Sequence, residues 1–210
     1  MSRVLFKICA WQNSAKPWIY LIFVCALLII IAHYFFQEYL FMAPCEQCVY
    51  IRLAFFVILL GAILGTICGG NLLLKFCAYG VCFVGAFYGI ARSIHLYKVH
   101  SAILGNLPFG VHGCSFKPNF PLNLPLDEWF ASFFKPTGDC GLDAPIVPAG
   151  VSLDPIQSFF VDLYSNGWYL IPSAKFGTMA ECMILAFGVI LAVLFVMMSA
   201  QIYAMFSKKI

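Results

Sequence analysis

Charge is what this chain has least of. Only 10% of its 210 residues are Asp, Glu, Lys or Arg, against 63% hydrophobic, whereas a soluble domain carries about 25% charged residues. So little polar surface excludes a free-standing water-soluble domain and leaves integral membrane protein as the class. The net charge of +3 is small and scattered, with no basic cluster interleaved with aromatics, so no nucleic-acid partner is expected. Acidic residues are missing from the N-terminal arm, the 69–75 turn and the C-terminal tail, which together hold Arg3, Lys7, Lys16, Lys75, Lys208 and Lys209. Lysine and arginine are missing in turn from 38–48. There is no Gly-x-Gly-x-x-Gly fingerprint, no haem-attaching Cys-x-x-Cys-His, no internal repeat and no low-complexity tract, so nothing signals a soluble cofactor site.

Long apolar runs are what the chain does have. Pro17 to Gln37 runs 21 residues without a charge, which as a helix reaches about 31 Å, enough for the hydrocarbon core. It is longer than a signal-peptide core of ~7–15 residues and no A-x-A-like site follows, so a retained first span is expected. Met42-Ala43-Pro44-Cys45 is a poor lipoprotein cleavage site because proline precedes the cysteine. Further spans are expected at about 49–68, 72–94 and 177–205, with Lys75 and Arg92 snorkelling near the ends of the third. This gives a single integral membrane domain over 1–210, all-α, with loops at about 38–48 and 95–176. The charge asymmetry puts both termini in the cytoplasm and both loops outside. The loop cysteines then lie in an oxidising compartment, where disulfides persist.

Ten cysteines divide by setting. Cys9, Cys25, Cys68, Cys77, Cys82 and Cys182 lie in the basic arm or along apolar runs and read as small hydrophobes. Cys45, Cys48, Cys114 and Cys140 lie outside the apolar runs. Cys45 and Cys48 open the second span, where a helix N-terminus and Arg52, one turn on, both stabilise a thiolate. So short a disulfide loop adds little stability, which favours a reactive pair over a structural one. Cys114 and Cys140 bracket 25 residues. They fit either a structural restraint worth about 3 kcal/mol in the chain-entropy model or a second redox pair. A four-thiolate zinc site wants two close-spaced pairs, so no metal is expected. His95, His100 and His112 read as solvated loop histidines. Two thiol pairs on one side of a membrane suggest a relay by disulfide exchange, with a lipid-soluble quinone as terminal acceptor and Arg52 stabilising charge on its oxygen. In the long loop, Pro125 and the acids after it predict a short helix with Trp129, Phe130, Phe133 and Phe134 on one face. That helix either lies in the headgroup region or packs inside the loop.

The arrangement Pro44-Cys45-x-x-Cys48-x-Tyr50-x-Arg52 before a second span, with two loop cysteines before a fourth, resembles the DsbB family of quinone-linked thiol oxidases. Met42 to Arg52, Phe120 to Leu126 (FPLNLPL) and Phe134 to Gly141 (FKPTGDCG) are similar to its DsbI branch in particular. The resemblance covers the chain from first span to fourth. It implies a four-helix transmembrane bundle in a bacterial inner membrane, with a long periplasmic loop carrying a short interfacial helix. It also implies a thiol:quinone oxidoreductase that reoxidises a periplasmic thioredoxin-fold oxidase, DsbA-like or DsbL-like, using ubiquinone or menaquinone. Carried over by position, Cys45 and Cys48 are the quinone-coupled pair, Cys48 faces the quinone and Arg52 marks its site. Cys114 and Cys140 are the loop pair, Cys114 being the point of partner attack and Cys140 exchanging with Cys45. Ile51 stands where family members can carry an acid. The 141–176 segment is longer than in the general enzyme, either for partner choice or to pack over the bundle.

Two other readings are weighed. A non-catalytic scaffold or receptor with a disulfide-held external loop would share the topology but not turn over. A vitamin K epoxide reductase-like protein would place its Cys-x-x-Cys near the end of the bundle, not before the second span.

Overall fold

The computed structural model describes residues 2–67, 71–104, 114–141 and 143–207. Cys68 with the end of the second span, Gly69 and Gly70 of the turn, His112 and the Lys208–Lys209 tail lie outside the described residues. Among the described residues, four helices are long and apolar enough to cross a membrane: Lys16–Tyr39, Glu46–Ile67, Leu72–Ile103 and Met179–Phe206. The shortest has 22 residues and reaches about 33 Å. Phe23, Leu60, Leu73 and Leu185 are exposed on them, as suits helices whose outer faces meet lipid.

In chain order, α1 (Ser2–Asn13) is followed by α2 (Lys16–Ile30), which continues as a π-helical stretch over Ile31–Tyr39. Next come α3 (Glu46–Ile67) and α4 (Leu72–Leu104). The single-turn helices α5 (Leu126–Trp129) and α6 (Ala131–Phe134) precede α7 (Pro155–Leu163). A hairpin of β1 (Tyr169–Ile171) and β2 (Phe176–Thr178) leads into α8 (Met179–Ser207). Its strands are antiparallel, Tyr169 facing Thr178 and Ile171 facing Phe176. Strands of three residues are too short to show an alternating pattern, so the all-α expectation had no sign of them. Pro172 and the left-handed Lys175 (φ 49°) make the turn.

The chain forms two compact units. The first comprises Met1–Leu28, Ala54–Tyr88 and Ala186–Ile210. Small residues let its helices approach: a Cβ on Gly65 would fall inside the Trp18 indole, and one on Gly61 would meet Cys82. Trp18 packs on Tyr79 with centroids 5.0 Å apart, and Phe55 stacks on Phe187 at 4.5 Å. Lys75 does not snorkel. Its ammonium is buried and donates to Asn13 Oδ1 and, at 3.3 Å, to Gln201 Oε1, and such partners are what make a buried cation tolerable.

The second unit, Ile29–Leu53 with Gly89–Leu185, holds all four loop cysteines. Here α4 corrects two expectations. It continues ten residues past the expected span end at 94, because neither glycine nor proline interrupts it between Gly89 and Gly105. His95 and His100 are therefore helical. Arg92, half-buried, stacks on the Tyr50 ring at 4.5 Å from its centroid. The aromatic loop helix is corrected too. It breaks at Phe130 (φ −134°, ψ 60°) into α5 and α6, so the four aromatics do not share a face. Trp129 and Phe130 are exposed while Phe134 is buried.

Gly65→Val should lower stability by about 1–3 kcal/mol through overpacking against Trp18, read as an earlier thermal unfolding midpoint in detergent. Gly80→Ala, where an added Cβ meets nothing, should show no loss. Equal midpoints for Gly65→Val and the unsubstituted protein would contradict this packing.

Candidate redox site

Pro44 cannot donate a backbone hydrogen bond and disfavours helix just before it, so α3 begins at Glu46 and Cys45 falls at its N-cap. The Cys48 amide donates to Cys45 Sγ at 3.1 Å, the bond an N-cap side chain ordinarily accepts from the third residue of a helix. Cys45 and Cys48 form a disulfide with Cα atoms 5.0 Å apart, and both are buried. Cys114 and Cys140 form a second, with Cα atoms 5.6 Å apart. Cys140 is fully buried while Cys114 is half-buried. The other described cysteines, Cys9, Cys25, Cys77, Cys82 and Cys182, are unpaired.

Backbone contacts bring the two pairs into one neighbourhood. Thr137 and Gly138 donate their amides to the Pro44 carbonyl at 3.0 and 3.1 Å, and Ile146 donates to the Phe41 carbonyl at 3.0 Å. The stretch carrying Cys140 is therefore laid along the stretch that leads into Cys45. Gly138 permits this, since a Cβ there would overlap the Ala43 backbone. The other end of the loop pair is tied to the first turn of α3. Glu46 Oε2 accepts from the Ser115 amide at 2.7 Å, and the Tyr50 hydroxyl accepts from the Asn119 amide at 2.6 Å while donating to Glu46 Oε1 at 2.9 Å.

Arg52 is 5% exposed. Its Nη1 donates to Gln37 Oε1 at 3.0 Å and to the Phe133 carbonyl at 2.6 Å. Gln37 Nε2 reaches the Ser132 carbonyl at 2.9 Å. His33 stacks on Phe133 at 3.9 Å and places Nε2 3.2 Å from Glu38 Oε1. His33 and Gln37 come from the π-helical stretch, a geometry frequent at functional sites. The sequence reading passed over both. The available signal was two polar side chains, four residues apart, at the outer end of an otherwise apolar run. The Arg52 Nε and Gln47 Oε1 atoms are buried and make no hydrogen bond among the described residues.

Asp143 was also missed as a site residue. Its carboxylate lies with the Cys45 and Cys48 sulfurs in a group whose atoms are all within 4.8 Å of one another. His100 Nε2 stands 3.2 Å from Asp143 Oδ2. Burial holds the Asp143 carboxyl above the ordinary carboxylate range, partly offset by His100. Part of 141–176 packs on the π-helical stretch: Phe160 meets Phe35 at 5.3 Å, and Tyr164 and Trp168 meet Phe36 at 5.6 and 5.8 Å.

Four apolar spans and two disulfides in one unit describe a multi-pass membrane protein built for thiol chemistry, and the comparisons with known proteins agree. The family model for the disulfide bond formation protein DsbB matches residues 14–198, so the chain belongs to the DsbB family. The protein-disulfide oxidoreductase DsbI of Salmonella typhimurium is 48% identical over 204 residues, 95% of this chain and 91% of that one. The DsbI of Escherichia coli O1:K1 is 47% identical over 195 residues, 90% of this chain and 87% of that one. A Campylobacter fetus protein of the same DsbI designation is 48% identical over 191 residues, 91% and 89% of the two chains. The chain is a membrane protein-disulfide oxidoreductase.

Tyr50→Phe removes the acceptor for the Asn119 amide and the donor to Glu46, which should cost about 1–3 kcal/mol. Limited proteolysis should then cleave faster between 114 and 120, with helix content unchanged by circular dichroism. Unaltered cleavage would show that this anchor does not hold the loop.

Proposed function

We propose that the protein is a thiol:quinone oxidoreductase of a bacterial inner membrane that reoxidises a periplasmic thioredoxin-fold oxidase, DsbA-like or DsbL-like. It works as a single integral membrane domain with both termini cytoplasmic, an orientation supported by the distribution of Lys and Arg. The observation that carries the reading is the attachment of the Cys140 stretch to the Phe41 and Pro44 carbonyls, which sets one disulfide beside the path to the other.

A partner thiolate attacks Cys114, the more accessible sulfur of its pair, and Cys140 departs as a thiolate. Cys140 attacks Cys45, and the electron pair leaves on Cys48. The helix N-terminus favours anionic sulfur at both positions of the pair. The donor set fits a quinone: Arg52 Nε is a buried donor without a hydrogen-bond partner among the described residues, suited to a carbonyl oxygen, and Gln37 and the Phe133 carbonyl hold the guanidinium from its other side. A bound quinone, ubiquinone or menaquinone, supplies the two-electron acceptor. Arg52 would orient its oxygen and offset negative charge there, with Cys48 the sulfur proposed to face it.

Purified protein should reduce quinone when given a reduced thioredoxin-fold partner. Cys48→Ala and Cys114→Ala should each abolish turnover, and full activity in either variant would sink the relay. Arg52→Met should weaken quinone use by about 10- to 100-fold in kcat/KM, the scale of a lost hydrogen bond to a charged group. The same variant should leave exchange between the partner and the Cys114–Cys140 pair unchanged in a single turnover.

A further inference from the structure

The relay described so far moves electrons and leaves the protons unassigned. Closing a disulfide from two thiols releases two protons, and Cys45 and Cys48 are both buried, so bulk water does not reach them freely. One ionisable group stands beside both sulfurs. The Asp143 carboxylate shares a 4.8 Å cluster with them, and its side chain is only 15% exposed. Behind it His100, from the end of α4, places Nε2 3.2 Å from Asp143 Oδ2. That nitrogen is buried and makes no hydrogen bond among the described residues.

A cavity of about 70 Å³ opens on the same pair, its wall including His100, Asp143, Asn166, Tyr169 and Thr178. One water needs roughly 10–15 Å³ of such volume together with polar partners, so the space has room for water beside His100. Among the described residues, the titratable groups around Asp143 are the two sulfurs from the start of α3, His100 from α4 and, in the cavity wall, Tyr169 from β1. The sulfurs adjoin the Asp143 carboxylate, which adjoins the His100 imidazole, and the carboxylate and imidazole both line the cavity.

We propose that Asp143 is the proton acceptor and donor for the Cys45–Cys48 pair, and that His100 and the cavity beside it pass that proton to and from water. This rests on the reading of Cys45 and Cys48 as the redox pair. Consider Cys48 held in a mixed disulfide with an external thiol, R–S–S–Cys48. The Cys45 thiol gives its proton to the Asp143 carboxylate, and the sulfur's electron pair forms the bond to Cys48 Sγ. The Cys48–S–R bond breaks and R–S⁻ leaves with the other electron pair. Asp143 then loses the proton through His100 to the cavity. In the reverse direction R–S⁻ attacks Cys48, and protonated Asp143 returns the proton to the departing Cys45 sulfur. Atoms and electrons balance without any further reagent. The upward displacement of the Asp143 carboxyl by burial suits a group that must hold a proton part of the time.

The test is closure of the reduced pair by oxidised glutathione across a pH series, quenched with an alkylating agent and read by mass spectrometry of the Cys45–Cys48 peptide. The unsubstituted protein should stay fast down to pH values below the ordinary thiol range of about 8.5 and slow only as Asp143 becomes protonated. Asp143→Asn should slow closure by about 100-fold or more at neutral pH and move the acid limb up towards the thiol range. Asp143→Glu should restore most of the rate. His100→Gln removes the imidazole that partly offsets the effect of burial on the Asp143 carboxyl, so its limb should move to higher pH. An Asp143→Asn protein with a rate within about twofold of the unsubstituted one and the same limb overturns the proposal. Should Asp143→Asn fail to form Cys114–Cys140, an unshifted limb in His100→Gln overturns it instead. Glutathione closure needs no quinone, so a failure of the functional reading shows separately, as absence of quinone reduction by the unsubstituted protein.

Discussion

The Pro44 carbonyl accepts two amides, those of Thr137 and Gly138, and the arrangement of the redox site depends on that shared acceptor. Proline has already taken its own N–H out of the ladder, so this residue can only receive. It receives from the stretch that carries Cys140, and the next bond along, Ile146 to Phe41, repeats the pattern. Phe41 sits in the left-handed region at φ 56°, where a non-glycine residue costs about 1–3 kcal/mol. That cost persists because the surrounding hydrogen bonds fix the turn. Gly138 is the matching requirement on the other strand, since any side chain there would collide with Ala43. One proline, one strained phenylalanine and one glycine thereby set the relation between two disulfides far apart in the chain.

From that junction the chemistry divides by environment. Cys114 is the more accessible end of its pair and Cys140 the buried one, which suits a sulfur met first by an outside thiol and a sulfur that passes the exchange inward. One turn further along α3, Arg52 is gripped by Gln37 and the Phe133 carbonyl, so the guanidinium is fixed before any acceptor arrives. The π-helical turn makes this possible by bringing His33 and Gln37 towards α6. Asp143 and His100 occupy a third sector, with their cavity, and give the proposed relay a separate path for protons.

Class, span number and the cysteine pairs were legible in the sequence because each depends on local or compositional signals. Long uncharged runs identify spans regardless of tertiary context, and Cys45-x-x-Cys48 before a helix is readable from four residues. The extension of α4 to Leu104 was missed because Arg92, His95 and Lys98 break the apolar run, although charge alone does not end a helix. The aromatic segment was read as one helix because its spacing allowed it, yet Phe134 packs beside Phe120 while Trp129 and Phe130 face outward, and packing of that kind overrode the local pattern. His33, Gln37 and Asp143 are single polar residues without a motif. Their roles arise only when the π-helical turn and the pinned loop bring them to Arg52 and to the sulfurs.

In the proposed relay, electrons pass between the two pairs through Cys140 and Cys45. In a Cys48→Ala, Cys114→Ala protein, each of those sulfurs loses its usual partner. Peptide mass spectrometry after mild oxidation should find a Cys45–Cys140 disulfide as the dominant linkage. Protein in which both remain free thiols, or pair with other cysteines, would contradict the account.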